Sequence, residues 1–168
     1  MRKVQWALAV LLTLAAIQVF TFSPAAAQVT GQARGSGSVQ VFAEEIICFP
    51  DFCFSTFLPS GEAGHFSFDV HVTVTAPPMI RFVASNPVTG DHIRMETGDA
   101  FLSTSLRSVL VMGSCEVDGQ LGSCHVFAQD NGEPGSSDVF DLFYSSPSGG
   151  SGQLFGLLLS GNVEVQGD

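Results

Sequence analysis

The chain has 168 residues, with sixteen acidic side chains against six basic ones and a formal net charge of −10. A surface of that sign repels phosphate backbones, so nucleic acid is not an expected partner, and anionic lipid surfaces are disfavoured too. Once an N-terminal targeting segment is set aside, the length fits one ordinary domain with a real core.

Residues 1–27 have the layout of a secretory signal peptide. Met1-Arg2-Lys3 is a short positive start, Trp6 to Ile17 is apolar except for Thr13, and Pro24-Ala25-Ala26-Ala27 supplies small residues before a cut. The apolar stretch of about 12 residues is short of the roughly 20 that a membrane-spanning helix needs. Cleavage is expected between Ala27 and Gln28, giving a secreted chain in the periplasm or outside the cell. No lipobox cysteine follows, and no later segment is apolar and long enough to span a bilayer as a helix. Residues 28–168 keep four arginines (Arg34, Arg81, Arg94 and Arg107) and all sixteen acids, a formal charge of −12 (4 − 16), with no lysine.

From Gln28 to Ser38 the chain is rich in Gly, Ser, Gln and Thr, which predicts a flexible lead-in. An all-β domain is expected over residues 39–168. Val39 to Ala43 reads as a first strand. Glu44 to Phe57 reads as a loop or hairpin closed by a Cys48–Cys53 disulfide around Phe-Pro-Asp-Phe. His65 to Thr75 is the clearest element. Phe66, Phe68, Val70, Val72 and Val74 alternate with polar residues, the period of a strand with one wet face. Pro77-Pro78 ends it.

Met79 to Ser85 is the next strand, Asn86 to Gly90 a turn, and Asp91 to Thr97 another strand. Phe101 to Met112 reads as one long strand or two. Cys115 to Cys124 reads as a hairpin with a type II′ turn at Gly119-Gln120, which sets the two cysteines directly opposite for a second disulfide. An even cysteine count in an exported chain favours such pairs. A four-cysteine zinc site lacks the usual two-residue spacing.

His125 to Gln129, Val139 to Tyr144, and a final hairpin (Gln153 to Ser160, Gly161-Asn162, Val163 to Gln166) complete the strands. Short strands punctuated by turns, with no sustained helical period, predict a single antiparallel β-sandwich of about nine or ten strands, with a flattened β-barrel as the alternative.

The run Phe127 to Phe140, together with the Cys-x-Val-Asp-Gly hairpin of Cys115 to Gly119, the Gly64 to Phe68 opening and the Gly-rich close over Gly152 to Val165, resembles the post-COAP family of exported bacterial domains. The likeness covers roughly residues 61–166. Phe82 to Asn86 departs from the Tyr-Val-Asp-His-like segment of that family, and the Cys48–Cys53 segment reads as an insertion. The resemblance implies export and an all-β fold. It brings no activity with it.

Candidate chemistry is sparse. Asp130, Asn131, Glu133 and Asp138 offer hard oxygens in nine residues, the kind of loop calcium uses, while the glycines and Pro134 suit a structural turn without any ion. His65 and His71 share one strand face but sit roughly 20 Å apart, too far to chelate together. No Gly-x-Ser-x-Gly elbow and no His-Glu-x-x-His helix is present, and no carboxylate pair stands out for glycoside hydrolysis. Sugar stacking usually employs exposed Trp or Tyr. Beyond residue 27 the chain has only Tyr144 and no Trp. The expected function is therefore a secreted, non-catalytic module with a structural or interaction role at or outside the cell surface; its partner is not specified by the sequence, other cell-surface or extracellular proteins being the candidates. A calcium- or ligand-binding module and a secreted hydrolase are the alternatives.

Overall fold

The computed structural model describes residues 29–49, 52–147 and 151–167, and the side chains of 43–58 and 151 fall outside that description. The signal-peptide segment and its cleavage point also lie outside the described residues.

Nine strands follow one another: β1 (Gly31–Phe49), β2 (Phe52–Val72), β3 (Met79–Asn86), β4 (Asp91–Met95), β5 (Asp99–Ser103), β6 (Ser108–Val117), β7 (Gln120–Gln129), β8 (Val139–Ser145) and β9 (Ser151–Gly167). All pairings are antiparallel, in the order β4-β3-β2-β1-β9-β8-β7-β6-β5. The additional β4–β6 pairing, Ile93 with Val117 and Arg94 with Glu116, closes the sheet on itself. The architecture is thus the barrel alternative rather than an open two-sheet sandwich: eight antiparallel strands in a ring, with β5 as an extra strand. β4 and β5 lie end to end along the same edge of β6.

The inward faces of the strands are mostly apolar. Phe66, Phe68, Val70 and Val72 from β2, Ile80 and Phe82 from β3, and Phe140 and Leu142 from β8 are all buried. The Phe66 and Phe140 rings stack with centroids 3.7 Å apart, and Phe82 sits 6.3 Å from Phe140. An eight-stranded barrel is just wide enough for side chains to fill, and here they do. The outer face carries Ser67, Asp69, Arg81, Arg94 and Glu116, all half-buried or exposed. That is the reverse of a lipid-facing barrel, which is apolar outside and polar within.

Three local expectations change. The flexible lead-in is instead strand: Gly31 to Ser38 pairs with β2 on one side and β9 on the other. Its small residues are there for close packing, since a Cβ on Gly35 would lie 2.8 Å from the Phe68 ring. The β6–β7 turn falls at Asp118-Gly119, one residue earlier than expected, with φ of 50° and 76°. Those values make it type I′, which suits Asp-Gly and matches strand twist. The final hairpin is one continuous strand, β9: Gly161 (φ 106°) stays in register opposite Gly37 without turning the chain, and the irregularities of the β1 ladder fall between Ser160 and Leu158 and between Leu158 and Leu154.

Residues 44–49 and 52–57 are paired antiparallel. β1 and β2 run on as a two-stranded ribbon past the last β9 and β3 pairings, and their register sets Cys48 opposite Cys53. The sulfur atoms of that pair lie outside the described residues. The second expected disulfide, Cys115–Cys124, is present with a Cα–Cα separation of 5.8 Å. Because the turn moved, the two cysteines are diagonal rather than opposite: Cys115 faces Gly122 and Cys124 faces Gly113.

Candidate functional site

The β7–β8 loop and the four residues named for calcium lie at one end of the barrel. Asp130 follows directly on β7 and is 6% exposed. Its Oδ1 accepts the Gly132 amide at 2.9 Å. Its Oδ2 takes the Arg107 guanidinium and, at 3.3 Å, the Val165 amide. Asp138 is fully buried. Its Oδ1 accepts the Asn131 amide and its Oδ2 the Val163 amide, both at 2.8 Å. The other two residues turn elsewhere. The Asn131 side-chain amide donates to the Ser137 carbonyl at 2.7 Å, and exposed Glu133 accepts from Asn162 at 2.9 Å.

The physical logic lies in β9. Its pairing with β8 stops at Val139–Leu157, which leaves the amides of Leu158, Val163 and Val165 in need of acceptors on that side. The Asp138 carbonyl takes Leu158 at 3.0 Å, and the two carboxylates take the rest. The loop thus continues the β8 ladder with side chains. Calcium wants six to eight free oxygens, whereas all four carboxylate oxygens of Asp130 and Asp138 already accept protein donors. Among the described residues no group of three or more His, Cys, Asp or Glu is arranged to hold a metal ion. Melting curves recorded with millimolar calcium and with a chelator are therefore expected to superimpose. A calcium-dependent rise in Tm would contradict the carboxylate assignment.

A second buried polar group, not singled out by sequence, closes the opposite end. Inward alternation along β8 places Tyr144 after Phe140 and Leu142, and it is 1% exposed. Its hydroxyl reaches across the barrel to the β3–β4 turn. It donates to Asp91 Oδ2 at 2.6 Å, accepts from Asn86 Nδ2 at 3.0 Å, and lies 3.1 Å from Thr89 Oγ1. Thr89 also donates to the same Asp91 oxygen at 2.6 Å. Burial, and then the hydrogen bond to Asp91, push the phenol up to about 12. The available signal was that a lone inward-facing Tyr must find a partner for its hydroxyl. Being buried, Tyr144 offers no platform on which a sugar could stack.

The histidines do not converge. His71 pairs with Asp69 on the outer face at 3.2 Å, and His92 lends only its backbone to Asp118 in the β6–β7 turn. Arg34–Glu164 and Arg94–Glu96 are exposed ion pairs, of small energetic weight. Among the described residues every deeply buried side-chain nitrogen and oxygen has a hydrogen-bond partner.

Four exposed apolar side chains share one wall. Phe143 of β8 (48% exposed) and Phe155, Leu157 and Leu159 of β9 (41%, 59% and 58%) face outward on adjacent strands. Phe42, at the root of the β1–β2 ribbon, lies against Phe155 with ring centroids 4.7 Å apart. No family model, no curated protein and no solved structure matches the chain.

Proposed function

We propose that this is an exported, non-catalytic binding module whose contact surface is the outer wall of β8 and β9 together with Phe42. The observation that carries the reading is the grouping of exposed Phe155, Leu157 and Leu159 at successive outward positions of β9, with Phe143 on the adjacent β8 and Phe42 against Phe155, whereas other exposed apolar side chains such as Val83, Leu106 and Leu121 lie on other strands and turns. Contiguous apolar patches on exported proteins mark interaction sites. The barrel interior is packed with side chains, and the buried polar groups at its two ends are engaged in closing it, which supports a module over an enzyme. The partner is a protein presenting a complementary apolar surface. No helix of the described residues is long and apolar enough to cross a membrane. The signal-peptide layout and the resemblance to the post-COAP family both support a place outside the cytoplasm.

The test uses the full chain in cells that make it. A photoreactive benzoylphenylalanine replacing Leu157 is expected to capture one discrete protein adduct. The same label replacing Arg81, on the β3 wall, is expected to capture none. Equal capture at both positions, or none at Leu157 in a chain that melts normally, would count against this surface.

A further inference from the structure

We propose that Asn131-Gly132 is a latent deamidation site which the native β7–β8 loop holds shut, so that opening of this loop becomes covalently irreversible. This is the one Asn-Gly step in the chain. Glycine has no Cβ to hinder its amide, so in an open chain the Gly132 nitrogen can attack Asn131 Cγ. A Gly132 N–Cγ bond forms, the Cγ–Nδ2 bond breaks, and ammonia leaves with the proton given up by the Gly132 amide. Solvent water then opens the succinimide to aspartate or isoaspartate, with no change of oxidation state.

The fold opposes each part of that step. The nucleophile is engaged, because the Gly132 amide donates to Asp130 Oδ1 at 2.9 Å and a carboxylate at that distance disfavours the deprotonated nitrogen. The leaving group is held, because Asn131 Nδ2 donates to the Ser137 carbonyl at 2.7 Å. The Asn131 backbone is fixed by the hydrogen bond that its N–H donates to Asp138 Oδ1 at 2.8 Å. Asn131 is nevertheless exposed, so water reaches it and the protection is geometric. Either product destroys the lock. A carboxylate at 131 has no N–H for Ser137 and adds a like charge beside Asp130 and Asp138. Isoaspartate also lengthens the backbone by one methylene between two residues whose amides must meet fixed acceptors.

The test follows the full exported chain at mildly alkaline pH, folded and in urea, by mass spectrometry of peptides spanning Asn131 together with an isoaspartate assay. Deamidation is expected to be at least about tenfold slower in the folded chain, since the reaction must wait for local opening. Asp130→Asn, assayed while folded, is expected to raise the rate severalfold. The urea comparison needs no variant and stands if that one fails to fold. After ageing in urea and dilution, the refolded fraction is expected to fall in step with the isoaspartate fraction. Equal rates in the folded and unfolded chain, or a refolding yield indifferent to isoaspartate, would overturn the proposal.

Discussion

Replacing Asp138 with alanine is expected to destabilise the folded chain by about 3–5 kcal/mol, measured as a lower urea midpoint. The side chain is fully buried and accepts the amides of Asn131 and Val163. Truncation leaves the buried Val163 amide and the part-buried Asn131 amide without acceptors, each costing about 1–3 kcal/mol with the buried one at the upper end. A domain of this size has only about 5–15 kcal/mol in total, so the variant should lie near the limit of folding. Asp138→Asn keeps one oxygen acceptor and is expected to lose roughly half as much. Glu133→Ala, at an exposed position tied only to Asn162, should change stability by less than about 0.5 kcal/mol. Equal effects at 133 and 138 would show that the loop is a turn and not a substitute for the β8 ladder.

The second large effect is expected at Phe140. Its ring is fully buried, stacked on Phe66 at 3.7 Å and within 6.3 Å of Phe82. Phe140→Ala should cost about 3–5 kcal/mol, from lost burial and from a cavity in a tightly packed barrel centre. Phe155→Ala removes the same ring from the outer wall, where it is 41% exposed and touches Phe42. There the expected cost is below about 1.5 kcal/mol. Chemical denaturation of the two variants separates core from contact surface. Comparable losses at both positions would mean that the β8–β9 wall is covered within the molecule and is not free for a partner.

Much of the fold could be read from residue patterns, because a strand with one buried face writes itself as alternation. Phe66 to Val72 is the clearest case, and the burial of alternate residues follows it. Where reading failed, the reason was tertiary. Gly31 to Ser38 has the composition of a linker, yet it is strand because it pairs with β2 on one side and β9 on the other, and its glycines fit where Phe68 crowds Gly35 and the β9 backbone crowds Gly31 and Gly37. The β6–β7 turn moved by one residue because Asp118 is stitched to β4, exchanging two hydrogen bonds with the His92 backbone. The carboxylates of the 130–138 loop were visible as candidates, but their acceptor role depends on amides 25 and 35 residues away in β9. Barrel closure rests on two residue pairs between β4 and β6, which no local pattern announces. The free apolar wall was equally hidden: Leu154 to Leu159 reads as one greasy run, and only the pairing of β9 separates Leu154 and Leu158 inside from Phe155, Leu157 and Leu159 outside.

The claim that buried polar groups close the ends of the barrel is tested most directly at Tyr144. It is the single tyrosine of the chain, so phenolate absorbance during an alkaline titration reports it alone. In the unfolded chain the phenol titrates near 10, and in the fold it is held up to about 12. Between those values the unfolded state has lost a proton that the folded state keeps. The stabilisation is complete below pH about 10 and is lost as pH rises towards 12, by on the order of 2 kcal/mol. The expected result is no phenolate signal near pH 10, with absorbance appearing near pH 12 together with loss of stability. A folded chain that gains its full phenolate signal near pH 10, with no loss of stability, would show that this end of the barrel is open to solvent and would contradict the account.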